Sequence, residues 1–189
     1  MPDVCSSFES IRRAVQTAGW RRIGIDGVDG VGKTYLAEQL SEALTFPALD
    51  LDEYLFKNQG GFVAFIDYPA LSSALSTIPN YILSGVCLRE VLANAGVGLD
   101  GHIYVKRMRH DLWANEDECV FPDGVDVAID NLARYSAMIS RSLDEPSERP
   151  ATETDESPPH LSEEIMRYHD SYQPHDVADL VYERIDHAG

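Results

Sequence analysis

Arg22-Ile23-Gly24-Ile25-Asp26-Gly27-Val28-Asp29-Gly30-Val31-Gly32-Lys33-Thr34 runs from a short apolar strand through a glycine-rich turn into the start of a helix. Gly27, Gly32, Lys33 and Thr34 fill the pattern G-x-x-x-x-G-K-[ST] without a mismatch. The residue types follow from the chemistry of phosphate binding. Glycines let the backbone curl until successive N–H groups point inward at phosphate oxygens. A helix beginning at Lys33 adds the positive end of its dipole at the same spot. Lys33 then has the reach for β- and γ-phosphates, and the Thr34 hydroxyl can ligate Mg²⁺. A chance match on a glycine-rich turn would not need the strand and helix that flank this one, so the segment reads as a nucleotide-binding loop.

The composition narrows the partners. At 189 residues with 44% hydrophobic content, the chain reads as one globular domain over residues 1–189, large enough for a sheet covered on both faces. A formal charge of −17 argues against nucleic acid and anionic membranes, both of which need a basic face. Cys5, Cys87 and Cys119 have no C-x-x-C spacing and fit reduced thiols of a cytoplasmic protein. Met1 to Ser10 carries acids and no apolar run, unlike a signal peptide, and no segment has the length of a membrane span.

Working outward from the loop, Ser6-Ser7-Phe8-Glu9 has the pattern of a capping box. Phe8, Ile11, Val15 and Ala18 then share a helical face, and Gly19 ends the helix. Trp20 to Ile25 is the first expected strand. A helix follows over Lys33 to Leu44, stopped by Pro47, and Ala48 to Leu51 is a second strand. Asp67-Tyr68-Pro69-Ala70 opens a short helix, Tyr81 to Val86 is a third strand, and Cys87 to Ala93 is a helix. His102 to Lys106 and Leu180 to Ile185 complete five strands, with helices over Asp126 to Leu143 and Leu161 to Tyr172. Val127, Leu132, Tyr135 and Ile139 form the apolar stripe of the former. Asp144 to His160, with Pro146, Pro150, Pro158 and Pro159 and no large apolar residue, is expected to be a mobile loop inserted in the domain.

Two charged groups sit where chemistry is expected. Asp50-Leu51-Asp52-Glu53-Tyr54 follows the second strand, and strand alternation puts Asp50 and Asp52 on one face. Acids at the carboxyl end of a strand beside a phosphate loop can bind Mg²⁺ or take a proton from a hydroxyl, though solvated loop acids are common in so acidic a chain. Asp52 is favoured for function over Asp50, which lies deeper in the strand. Lys106, Arg107 and Arg109 form a cluster of cations that reads equally as a lid over the phosphates or as a basic surface. The histidines show no metal spacing, and His169 reads as solvated surface.

In this order the pieces resemble the uridine kinase and phosphoribulokinase-like group of P-loop kinases. Ile25 to Thr34 resembles the group's phosphate loop, and Asp52-Glu53-Tyr54 stands at its Asp-x-Phe-Tyr motif, whose Asp is the catalytic base. Phe65-Ile66-Asp67-Tyr68-Pro69-Ala70 is similar to its Phe-Asp-His-Pro segment near the phosphate acceptor. Leu83-Ser84-Gly85-Val86 is similar to its apolar strand ending in Glu-Gly, and Tyr172-Gln173-Pro174 with Ala178-Asp179 resembles its late motif. Ser84 departs from the group, which has there a Glu that helps organise Mg²⁺. The fuller arginine pattern of the group's lid is also absent.

The resemblance implies an α/β fold, a three-layer α/β/α sandwich with a five-stranded parallel sheet and a mobile lid. It implies a kinase that moves the γ-phosphoryl group of ATP to a hydroxyl of a nucleoside or similar small molecule, with Mg²⁺ as cofactor. Gly27, Val28, Asp29, Gly30, Val31, Gly32, Lys33, Thr34 and Tyr35 are expected to hold ATP, with Thr34 and Asp52 at the metal. Lys33, Asp52, Arg107 and Arg109 are expected to carry catalysis, and Asp52, Tyr54, Asp67 and Tyr68 to place the acceptor. The competing reading is a nucleotide-binding module or switch without kinase activity, which Ser84 favours. A GTPase is disfavoured, since no Asn-Lys-x-Asp motif follows the loop.

Overall fold

The structure is a computed structural model that describes residues 1–56, 61–143 and 161–185. Its elements run β1 (Asp3–Cys5), α1 (Phe8–Ala18), β2 (Arg22–Asp26), α2 (Lys33–Leu44), β3 (Ala48–Asp50), α3 (Tyr68–Thr77) and β4 (Tyr81–Ser84). They continue with α4 (Leu88–Ala95), β5 (Gly101–Arg109), β6 (Leu112–Trp113), α5 (Val125–Leu143), α6 (Leu161–Tyr172), α7 (Pro174–Val177) and β7 (Leu180–Ile185). The stretch 144–160, expected to be a mobile insertion, lies outside the described residues.

The sheet has seven strands in the order β1-β7-β5-β2-β4-β3, with β6 pairing β5. Every pairing is parallel except β5 with β6. The five expected strands are all present, and two more join them. β1 adds an edge beside β7, and β6 folds back on β5 as a hairpin. Both are too short for a two-residue period to stand out in the sequence. β2, the strand that feeds the phosphate loop, lies between β4 and β5, so chain connections leave it in opposite directions. A crevice opens at such a reversal, outside the carboxyl ends of the strands.

The core explains why these segments hold. Ile23 and Ile25 of β2, Ile82 and Leu83 of β4 and Ile103 and Val105 of β5 are all buried, as expected of strands covered on both faces. Leu36 and Leu40 of α2, Leu88 and Val91 of α4 and Ile165 and Tyr168 of α6 pack into the same core. Helix α1 is capped by Ser7, whose hydroxyl pairs reciprocally with Ser10, and it ends at Gly19 in the left-handed conformation. The box is thus Ser7–Ser10 rather than Ser6–Glu9, and Glu9 is drawn instead to Arg12. Ala18 is exposed, and Ala14 packs on the core in its place.

Two further expectations are corrected, and the cation cluster is placed. The stripe on α5 is not buried: Val127, Leu132 and Tyr135 are exposed. Amphipathic spacing identifies a face without saying what covers it. His169 is buried, its Nε2 2.7 Å from the Tyr104 hydroxyl and its Nδ1 2.7 Å from the Ile165 carbonyl. Lys106, Arg107 and Arg109 lie on the extended end of β5, with Lys106 Nζ 4.0 Å from the centre of the Trp113 ring. Among the described residues no helix is long and apolar enough to cross a membrane.

Candidate active site

The phosphate loop is shaped by its glycines at two places. Gly27 has φ 149°, and a Cβ there would lie 2.9 Å from the Val105 carbonyl oxygen. Gly32 has φ 95°, and a Cβ there would lie 2.5 Å from Arg184 Nη1. The second contact exposes a residue that sequence reading missed. Arg184, on β7, donates from Nη1 to the Val31 carbonyl at 2.7 Å and braces the loop from outside. Only its position in the last strand, next to an otherwise acidic chain, hints at it.

The strand side of the loop is pinned by a buried carboxylate. Asp26 accepts from the Gly27 N–H at 2.7 Å and from the Tyr168 hydroxyl, while His102 Nε2 lies 3.3 Å away. Burial pushes the Asp26 carboxyl up, but the nearby His102 and the hydrogen bond from Tyr168 outweigh it and hold the group below the ordinary carboxylate range. Val28 and Val31 face inward and are buried, leaving Asp29 and Gly30 exposed along the loop.

Lys33 and Thr34 begin α2 and face a cavity of about 450 Å³. Asp29, Asp50, Asp52, Gly85 and Val86 line it as well, with Leu55, Phe62 and Leu161 as an apolar wall. Lys33 is nearly buried, and its ammonium donates to the Val28 carbonyl at 2.7 Å. Burial lowers its pKa; the charges of Asp26, Asp29, Asp50 and Asp52 oppose that without cancelling it.

The two acids after β3 are separated by their geometry. β3 stops at Asp50 because the carboxylate caps a 3₁₀ turn over Leu51–Tyr54, accepting from the Asp52 N–H at 3.1 Å. Its other oxygen accepts from the Thr34 hydroxyl at 3.0 Å and from Ser84 Oγ at 3.3 Å. Asp52 stands on the turn at the cavity wall. Partial burial raises its pKa first, and the neighbouring Asp50 charge raises it further, with Lys33 pulling the other way. The alternation expected for a continuing strand is therefore broken at Leu51, which is fully buried.

The remaining expected residues are placed apart from this cavity or in structural contacts. Asp67 caps α3, accepting from the Ala70 N–H at 3.0 Å. The Tyr68 hydroxyl donates to the Val63 carbonyl at 2.9 Å and accepts from Asn94 at 3.2 Å. Tyr54 and Tyr35 do not line the cavity, and Tyr35 is exposed. Arg107 sits in register with Arg184 on β7, whereas Arg109 is exposed at the hairpin. A second missed residue is Glu164 of α6, whose carboxylate accepts from the Phe62 and Val63 N–H groups at 2.7 and 2.8 Å. It fastens the apolar wall of the cavity to α6.

Thr34 and Asp50 together offer hard oxygen donors of the kind Mg²⁺ uses alongside nucleotide phosphates. The residues present fit that ion. Asp50 also answers the departure at Ser84: it is Ser84's register partner on β3, so a carboxylate enters the same space from the next strand.

No protein-family model matches the chain, and no curated protein matches it. Among solved structures, it is similar to a possible uridine kinase from Bacillus stearothermophilus at 14% identity, covering 93% of this chain and 97% of that one with a TM-score of 0.50. It also aligns with shikimate kinase from Bacteroides thetaiotaomicron at 17% identity over 87% of this chain and 86% of that one, with a TM-score of 0.41. The chain has the α/β fold of P-loop kinases, with its glycine-rich loop at the crevice outside the carboxyl ends of the strands. The possible uridine kinase shares this fold along nearly the full length of both chains.

Proposed function

We propose that this protein is an ATP- and Mg²⁺-dependent kinase that phosphorylates a hydroxyl group of a small molecule. One observation carries the reading. Thr34 of α2 and Asp50 of β3 are hydrogen-bonded at 3.0 Å beside Lys33, with Asp52 on the wall of the same cavity. In such an arrangement the loop N–H groups and Lys33 hold the phosphates, and Thr34 and Asp50 would hold the ion, whose chemistry would be to offset phosphate charge. Asp52 takes the acceptor's proton; its raised pKa makes it a better base than an ordinary carboxylate. The metal role moves from Asp52 to Asp50, and the base remains Asp52.

The acceptor end supports a hydroxyl compound with an apolar face. Leu55, Phe62, Val86 and Leu161 supply that wall, and Lys33 is the only cation among the described residues that line the cavity. Such a lining suits a neutral acceptor, a nucleoside among them, better than a carboxylate or phosphate ester. The test is ATP consumption over a panel of nucleosides, sugars and simple alcohols, with phosphorylated product identified by mass. Tight ATP binding with no turnover on any acceptor would favour the nucleotide-binding module instead.

A further inference from the structure

Helix α5 has no part in the chemistry proposed above, yet it presents an unusual face. Val127, Tyr135 and Met138 stand 48%, 58% and 59% exposed. With Asn131 they follow the four-, four- and three-residue spacing that lines up one stripe of a helix. The helix's charges all fall along one edge of that stripe, acids in the first half (Asp126, Asp130) and bases in the second (Arg134, Arg141). They cancel within the helix, in a chain whose formal charge is −17.

That distribution selects the occupant. A second copy of so acidic a chain is repelled by most of its surface, but not by a neutral helix. Parallel stacking would set acids on acids and bases on bases. An antiparallel pair about a two-fold axis sets the acidic half of one helix on the basic half of the other. In an antiparallel pair each edge meets the same edge of its partner, which is where these charges lie. With Val127 opposite Met138 of the second copy, Asp130 falls within about 1.5 Å along the axis of Arg134. The two-fold makes this ion pair twice.

We propose that the protein self-associates through α5, two copies pairing antiparallel along the Val127–Asn131–Tyr135–Met138 stripe with Asp130 of each copy against Arg134 of the other. The contact is one helix wide, so the dimer is micromolar rather than obligate.

The experiment is sedimentation velocity on the full chain from about 1 to 200 µM at about 0.15 M salt, where exposed charges act over roughly 8 Å. A concentration-dependent dimer is expected. Asp130→Arg alone and Arg134→Glu alone should each weaken it by about tenfold or more, because like charges then face each other. Mixing the two variants should restore association. One then presents Arg at 130 and 134, and the other acids at both, so the mixed pair is complementary. Far-UV circular dichroism checks that each variant is folded. A monomer over the whole range overturns the proposal. So does a dimer indifferent to both substitutions, or a pair of weakened variants that do not recover on mixing.

Discussion

Thr34 and Asp50 come from different elements, the first turn of α2 and the last residue of β3, and their side chains meet at 3.0 Å. The contact ties the phosphate-loop helix to the neighbouring strand and assembles a hydroxyl and a carboxylate where nucleotide-bound Mg²⁺ is expected. If the proposed chemistry holds, the two acids of this region separate cleanly. Asp52→Asn should retain ATP binding and lose about 10²–10⁴-fold in turnover, the range of a general base. Asp50→Asn should instead raise the Mg²⁺ concentration needed for half-maximal activity, with turnover partly recovered at high Mg²⁺. Titrations of both variants with Mg²⁺ decide the assignment, and a reversal of the two phenotypes would exchange the roles.

Lys33 carries the second prediction. Removing its charge with Lys33→Ala should weaken ATP binding by about 10- to 100-fold, since a hydrogen bond to a charged group contributes roughly 1.5–3 kcal/mol. Calorimetry measures it directly. Wild-type affinity in the variant would remove the loop from the site.

The shifted groups set the pH profile. A base works ionised, so activity should fall as pH drops through the raised pKa of Asp52, giving an acid limb above the ordinary carboxylate range near about 4. Lys33 works charged, so activity should also fall as pH rises through its lowered pKa, below the ordinary lysine range near about 10.4. The residual activity of Asp52→Asn should lack the acid limb and keep the alkaline one. An unchanged acid limb in that variant would assign it to another group.

Asp26 makes a prediction about stability. Its folded pKa lies below the unfolded value, so its contribution is complete above about pH 4 and is lost as pH falls through the lower folded value. Asp26→Asn should cost about 3 kcal/mol at pH 7, because Tyr168, His102 and the Gly27 N–H lose a buried charged partner. The gap between variant and wild type should shrink toward low pH. Urea unfolding at neutral and acidic pH tests both parts, and equal stability at pH 7 would count against the role.

Gly32→Ala is the fifth test. The new methyl would meet Arg184 Nη1 at 2.5 Å, and a backbone at φ 95° strains any other residue. ATP affinity should drop by about tenfold, matching roughly 1–2 kcal/mol of strain. Adding Arg184→Ala should not restore it, because the strain persists and the brace on Val31 is gone. Full recovery in the double variant would mean that the collision alone matters.

Helix α2 keeps its expected bounds because the loop motif dictates its start and its apolar spacing dictates its extent. The same holds for β7 and α6, whose patterns are long enough to read. The site was legible as far as the loop and the acids after β3. What the sequence withheld is contact between distant segments. Asp50 ranks second in the sequence because it lies deeper in the strand, whereas its carboxylate caps the following turn and its hydrogen bond to Thr34 spans two elements. Arg184 and Glu164 reach the site through side chains whose targets are backbone groups, and no motif encodes those. His169 looked like surface because a polar residue on an amphipathic helix usually is; Tyr104 and the Ile165 carbonyl satisfy it in the interior.

The pairing of β1 with β7 joins Asp3 to Leu180 across almost the whole chain. At roughly 5–20 residues per second of synthesis, Asp3 waits about ten to forty seconds for its neighbour Leu180. Arg184, the brace of the phosphate loop, leaves the ribosome in the same late interval. A nascent chain therefore carries the complete glycine-rich loop long before it owns the strand that steadies it. The loop's outer brace arrives together with closure of the sheet against β1.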